Sequence, residues 1–272
     1  MPTPVHIDER GGKIVKSASR VLDLFELLLE EPGGLTLSEI SHRLEVPRSS
    51  AHGLIQTLLL RGYLHRIGEK GHRLRLGVRL IELGLSVGDD LDLRPVAHRY
   101  MERLAQETHE TAFIAVRDGG EFVCVDKFVS RDAETRVRAD APLGARRAIH
   151  CTSLGKAFLA ALDDREVIEL LNRYGMRPAT RYSITSKTAM LDDLAAIRER
   201  GYSIDQQEAV LGICCVGAPV RNHLGTPFAA VSVSTIREFA DPGVQGPAVL
   251  RAAVEISRAL GWDGDGASLY GR

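Results

Sequence analysis

What this sequence has little of narrows it first. Aromatic residues make up 5% of its 272 positions, and Trp262 is the sole tryptophan. So few flat rings argue against a carbohydrate platform or a base-stacking surface. Four cysteines, Cys124, Cys151, Cys214 and Cys215, are too few for a disulfide framework in a chain of this length and read as reduced cytosolic thiols. Neither His150-Cys151 nor Cys214-Cys215 has zinc-ligand spacing, and Gly155-Lys156-Ala157 lacks the rest of a P-loop, so no metal or cofactor is expected. No apolar run approaches about 18 residues, which argues against a membrane span. Residues 1–16 carry charge and glycine without the apolar stretch of a secretory leader, so a cytoplasmic protein is expected. No internal repeat stands out.

What is present is the composition of a folded protein, 44% hydrophobic and 26% charged, with length enough for about two domains. The net charge is only −1, but it is unevenly spread. Between His42 and Leu76 lie Arg43, Arg48, Arg61, Arg66, Lys70, Arg73 and Arg75, against Glu45 and Glu69 alone. Residues 79–272 carry 24 basic against 27 acidic side chains. A basic patch confined to one small region suits a phosphate backbone, although a solvated basic surface accounts for it equally well.

That region has a readable outline. From Ser17, Val21, Leu22, Leu24, Phe25, Leu28 and Leu29 mark one helical face, ended by Pro32-Gly33-Gly34. Thr36-Leu37-Ser38-Glu39 has capping-box spacing and opens a short helix to about Leu44. After Glu45-Val46-Pro47 a third helix buries Ala51, Leu54, Ile55, Leu58 and Leu59, and Gly62 ends it. Tyr63–Ile67 and His72–Leu76, around Gly68-Glu69-Lys70-Gly71, predict a β-hairpin. Three helices and a basic hairpin outline a winged helix-turn-helix, whose third helix enters the major groove. The candidate DNA contacts are Thr36, then Arg48, Ser49, Ser50, His52 and Gln56 on the polar face of the third helix, with Arg66, Lys70 and Arg73 on the wing. The bland account is that any surface helix needs a polar face.

After a helix-and-hinge stretch over 77–94, a helix is predicted over 91–108 and a hairpin around Asp118-Gly119-Gly120. A loop-rich stretch follows over 130–150, then helices near 152–162, 163–174 and 188–200. Strands near 202–206, 212–219 and 227–235 and a helix near 241–260 complete an α+β pattern with a mostly antiparallel sheet. In the strand 227–235, Ser232 and Ser234 share one face, an arrangement that leaves room and supplies hydroxyls rather than building a core. Ile213 and Cys215 share a face of the neighbouring strand, and Asp205 lies on the strand before it. Thr152-Ser153-Leu154-Gly155 opens a helix whose first N–H groups are available to an anion. Together these residues would make a small polar cavity fit for a carboxylate. The plainer alternative is satisfied strand serines and a core cysteine. Cys215 as a nucleophile, with Asp205 and His150 or His223, has no support in the spacing.

Several stretches resemble the IclR-type bacterial transcriptional regulators. In the N-terminal part they are Ser17-Ala18-Ser19-Arg20-Val21-Leu22, Leu37-Ser38-Glu39-Ile40, Val46-Pro47-Arg48-Ser49-Ser50, Arg61-Gly62-Tyr63-Leu64 and Arg73-Leu74-Arg75-Leu76-Gly77. In the C-terminal part they are His150 through Ala160, Gly201-Tyr202-Ser203-Ile204-Asp205, Glu208, Gly212 through Val220, and Ala229 through Ser234. The resemblance covers about 17–262. It implies a winged helix-turn-helix over 17–78, a linker helix over 79–92 and a GAF-like effector domain over 93–262, and the residues outside it read as a flexible arm over 1–16 and a flexible tail over 263–272. It implies a non-enzymatic regulator, expected to be a repressor, that binds a pseudo-palindromic operator as a dimer, with a dimer of dimers as the larger form. It further implies a small carboxylate effector held by the backbone amides of Ser153 and Leu154 and by Asp205, Ile213, Cys215, Ser232 and Ser234. A DNA-binding protein with a ligand-free sensor domain, or a thiol enzyme using Cys215, are the competing readings. One departure is Gly53, where the family often carries a larger, frequently basic residue on the recognition helix.

Overall fold

The computed structural model describes residues 15–68, 71–83, 93–130, 141–236, 238, 240–265 and 268–270. Two compact units divide at Asp90/Leu91.

In the first unit, α1 (Lys16–Leu29) turns Leu24 and Leu28 inward. The two-residue strand β1 (Leu35–Thr36) leads directly into α2 (Leu37–Arg43). Thr36 caps α2: its hydroxyl accepts the Glu39 N–H at 3.3 Å, and the Glu39 carboxylate accepts the Thr36 N–H at 2.7 Å. These bonds hold the Glu39 carboxyl below its ordinary range. Glu45, with φ of 51°, reverses the chain in the left-handed region, and Ser41 Oγ donates to the Val46 carbonyl at 2.8 Å. The buried Val46 then leads through Pro47 into α3 (Arg48–Leu60), which buries Ala51, Ile55 and Leu58. The hairpin β2 (Leu64–Ile67) and β3 (Arg73–Leu76) forms as expected. β1 adds to β3, giving an antiparallel sheet in the order β1-β3-β2. A two-residue strand has too little alternation to be visible in sequence. Leu24, Leu28, Leu35, Ile40, Ile55, Leu58, Leu64 and Leu74 form the core. Full burial of such a side chain stabilises by about 1.5–3 kcal/mol, so this small core draws on every element of the unit.

Residues 79–83 are helical, and the rest of the expected linker helix lies outside the described residues, as do Lys70 and most of the expected N-terminal arm.

The second unit begins with α4 (Leu93–Thr108), followed by the hairpin β4 (Thr111–Asp118) and β5 (Glu121–Val129). The stretch read as loop contains an edge strand, β6 (Arg146–Ala148), paired to β5 and tied to it by Arg146 Nε on Glu121 at 2.8 Å. Then come α5 (Ser153–Ala160), α6 (Asp164–Tyr174), α7 (Lys187–Arg200), β7 (Ser203–Gln206), β8 (Ile213–Arg221), β9 (Pro227–Ile236) and α8 (Pro242–Ala259). Six strands form one antiparallel sheet in the order β6-β5-β4-β9-β8-β7. The fold is α+β, with helices flanking that sheet. α4 and α8 pack on each other and on the sheet. Ala112, Ile114, Val216, Ala218, Val231 and Val233 alternate with the cavity-lining positions and are all buried in one core.

The end of the chain departs from expectation. Ser268–Tyr270 is a 3-10 turn with Leu269 and Tyr270 buried. The buried Arg221 holds it, its Nε donating to the Leu269 carbonyl at 2.9 Å. Two apolar side chains and one guanidinium thus anchor a segment read as tail.

Candidate nucleic-acid interface and effector pocket

The polar face of α3 is open. Arg48, Ser49, Ser50, His52 and Gly53 are exposed, Gln56 is half-buried, and Gln56 Nε2 lies 3.5 Å from His52 Nε2 one turn away. Pro47 offers no side-chain cap, and the first N–H groups of a helix have no partner within it, a feature shared with anion sites. Gly53 meets nothing within 4 Å of where a Cβ would stand, so a gap sits at the middle of this face. The wing arginines are partly committed. Arg66 donates to the Gly71 carbonyl at 3.1 Å. Arg73 Nε lies 3.1 Å from the carbonyls of both Gly33 and Gly34, which pins β3 to the turn after α1. Thr36 is engaged in its capping box and is half-buried.

In the second unit a cavity of about 330 Å³ opens between the sheet and the start of α5. Ser153, Leu154, Asp205, Ile213, Cys215, Ser232 and Ser234 all line it. The register explains why. Cys215 stands opposite both Asp205 and Ser234, and Gly217 opposite Ser232, so these five strand positions share one face. Cys215 Sγ and Ser234 Oγ are 2.9 Å apart. Ser232 is 2% exposed and lines the cavity. Two glycines bring the helix in. A Cβ at Gly155 would stand 1.9 Å from the Ile149 carbonyl oxygen, and one at Gly217 would stand 2.9 Å from the Ser153 carbonyl. Ser203 Oγ locks the approach by donating to that carbonyl at 2.6 Å. The Thr152 hydroxyl accepts the Gly155 N–H and the Thr152 carbonyl accepts that of Lys156, whereas the Ser153 and Leu154 N–H groups, first in the helix, have no partner within it.

Sequence reasoning missed Phe113, Phe122, Val210 and Arg147 among the lining residues. Phe113 sits opposite Ser232 and is an alternating strand position, so its inward face was legible once β4 was placed beside β9. Arg147 came from the stretch read as loop, where no periodicity pointed to it. Arg147 and Asp205 are the charged members of the lining.

Burial sets the chemistry of the floor. It pushes the Asp205 carboxyl up to about 7, against N–H bonds that hold it down. It pushes the Cys151 thiol up to about 12 and raises Cys215 as well, helped by the charge of Asp205. A thiol held protonated beside a serine hydroxyl lacks the nucleophilic form. His150 is lowered by burial, and its Nε2 contacts the Arg177 carbonyl at 3.0 Å rather than either cysteine.

A helix-turn-helix with a hairpin wing, carried on the same chain as a separate α+β unit, defines a DNA-binding transcriptional regulator. The family model for the IclR helix-turn-helix domain matches residues 17–68, and that for the C-terminal domain of the bacterial transcriptional regulator IclR matches residues 86–258. The chain belongs to the IclR family of bacterial transcriptional regulators. It is similar to the transcriptional repressor IclR of Escherichia coli K12, 33% identical over 91% of this chain and 90% of that one. Among solved structures it is similar to the Thermotoga maritima IclR, with a TM-score of 0.77 and 29% identity over 91% of this chain and 99% of that chain. It is also similar to an IclR homologue from Microbacterium hydrocarbonoxydans complexed with 4-hydroxybenzoate, with a TM-score of 0.78 and 28% identity over 90% of this chain and 98% of that one.

Proposed function

We propose that this regulator is a repressor whose hold on DNA responds to a small organic acid bound in the cavity of its second unit. The observation that carries the effector half is the convergence of Ser153, Leu154, Asp205, Cys215, Ser232 and Ser234 on one cavity with two free helix-start N–H groups. Its volume, about 330 Å³, falls in the range of small-molecule sites. Phe113, Phe122, Val210 and Ile213 give the rest of the wall an apolar character that suits the carbon body of an acid. The relative solved with 4-hydroxybenzoate supports the same ligand chemistry.

In this reading Arg48, Ser49, Ser50, His52 and Gln56 face base edges and phosphates, and the wing contributes Arg66, Lys70 and Arg73 to the backbone. Thr36 sits at the start of α2, where its capping bonds orient that helix against the phosphates. Two copies place two recognition helices in successive major grooves of a pseudo-palindromic site. The effector acts by binding one arrangement of the chain better than the other. No bond is made or broken, and the protonated Cys215 supports a packing and hydrogen-bonding role.

A thermal-shift screen with small aliphatic and aromatic acids tests this, with Ser232→Ala/Ser234→Ala as control. An acid at 100 times its Kd adds about 2.7 kcal/mol, a shift of roughly 5–10 °C. A shift lost in the control is expected. Silence across the acids, or an equal shift in the control, contradicts the placement.

A further inference from the structure

Asp205 is 1% exposed on β7 and lines the cavity directly opposite Cys215. Its Oδ1 accepts the Glu208 N–H at 2.6 Å. The cation nearby is spent elsewhere. Lys156 on α5, itself 1% exposed, places Nζ 2.6 Å from Glu208 and 2.8 Å from Asp193. The first contact is an aligned hydrogen bond, and the second is an ion pair. Asp205 has no ion pair among the described residues. The titratable and charged groups facing it are Glu208 from its own loop, Lys156 from α5, Cys151 from the turn before α5, Cys215 from β8 and Arg147 on β6 across the cavity. Glu208 raises the Asp205 carboxyl and Lys156 lowers it, but loss of water outweighs both.

A carboxylate at the Ser153 and Leu154 N–H groups would share this cavity with the buried Asp205. Two carboxylates side by side with one of them buried cannot both stay ionised without strong repulsion. One proton between them turns the repulsion into a short charge-assisted hydrogen bond. We propose that Asp205 enters the effector complex as the neutral acid and donates a hydrogen bond to the effector's carboxylate, so that effector binding takes up a proton from solvent. This rests on the reading of the cavity as a carboxylate site. Its consequence is a regulator that senses acid and pH together. A carboxyl titrating near about 7 is poised for this across the neutral range.

The test is isothermal titration of the full chain with pyruvate, benzoate and 4-hydroxybenzoate at several pH values. Each pH is run in two buffers of different ionisation heat. The carboxyl of each probe titrates well below neutrality and stays ionised throughout. Above neutrality the affinity should fall about tenfold per pH unit, with uptake approaching one proton per bound anion. Asp205→Asn should abolish both the pH slope and the proton uptake. The wild-type buffer comparison stands by itself if the variant folds poorly. Binding without uptake or slope overturns the inference and leaves the carboxylate site standing. Affinity that rises with pH also overturns it, because Asp205 would then be an anionic acceptor for a hydroxyl or ammonium group. Failure of every acid to bind at any pH overturns the carboxylate reading and this inference with it.

Discussion

Burial raises both Asp205 and Glu208, but only Glu208 has a lysine in contact. Their raised values set the sign of the pH dependence. The Asp205 carboxyl titrates at 3.8 when unfolded and near about 7 when folded. Between those values the folded chain holds the extra proton, so the Asp205 contribution to stability falls as pH rises through that window. Asp205→Asn should flatten this descent in melting curves taken across the window, and an unchanged pH profile would count against it. His150 works in the opposite sense. Its folded value lies below 6.5, so its contribution is present above that pH and is lost as pH falls through the folded value. On the DNA side, Arg48→Ala should weaken operator binding by about 1–3 kcal/mol if Arg48 reads a base. Gel-shift titration measures this, and an unchanged affinity and footprint would remove Arg48 from the interface. The pocket residues were legible in the sequence because strand alternation sorts Ser232, Ser234, Cys215 and Ile213 by face. Arg147 was not, because its strand has three residues and its face depends on pairing with β5.

At the scale of elements, α5 is held at the cavity by fit on both sides, Gly155 against Ile149 and Gly217 against Ser153. Lys156 then ties α5 to α7 through Asp193 and to the β7–β8 loop through Glu208. Ser183 Oγ, donating to the Glu208 carbonyl at 2.6 Å, fixes the same loop. Breaking a buried pair by removing one partner costs about 3–5 kcal/mol, because the other charge stays buried. Lys156→Met should therefore lower the Tm by roughly 6–20 °C. A shift of a degree or two would mean that water reaches the pair. In the first unit, Thr36→Ala removes the cap of α2 and should cost about 1 kcal/mol in a denaturant titration. An unchanged midpoint would show that Glu39 and packing of Ile40 suffice. The helices and this cap were plain in the sequence, since they rest on local spacing. β1 and β6 were not, since each exists only through a partner strand distant in sequence.

At the scale of the whole molecule, the composition already separated a basic N-terminal region from a near-neutral remainder, and the chain divides at Asp90/Leu91. Neither charge nor periodicity could show that Leu269 and Tyr270 pack, because Arg221 is what holds that turn. The proposed function is thermodynamic: in it the cavity and α3 are two sites on one equilibrium. An effector then changes DNA affinity by the same factor by which DNA changes effector affinity. The most direct measurement is fluorescence anisotropy on the DNA upstream of the chain's own gene. Wild type and Ser232→Ala/Ser234→Ala are titrated with and without the acid that gives the largest thermal shift. The account predicts a change in wild-type Kd of roughly 5–150-fold, with weaker binding in the presence of the acid, and little or no change in the variant. An acid that saturates the cavity and leaves wild-type DNA affinity unchanged would contradict it.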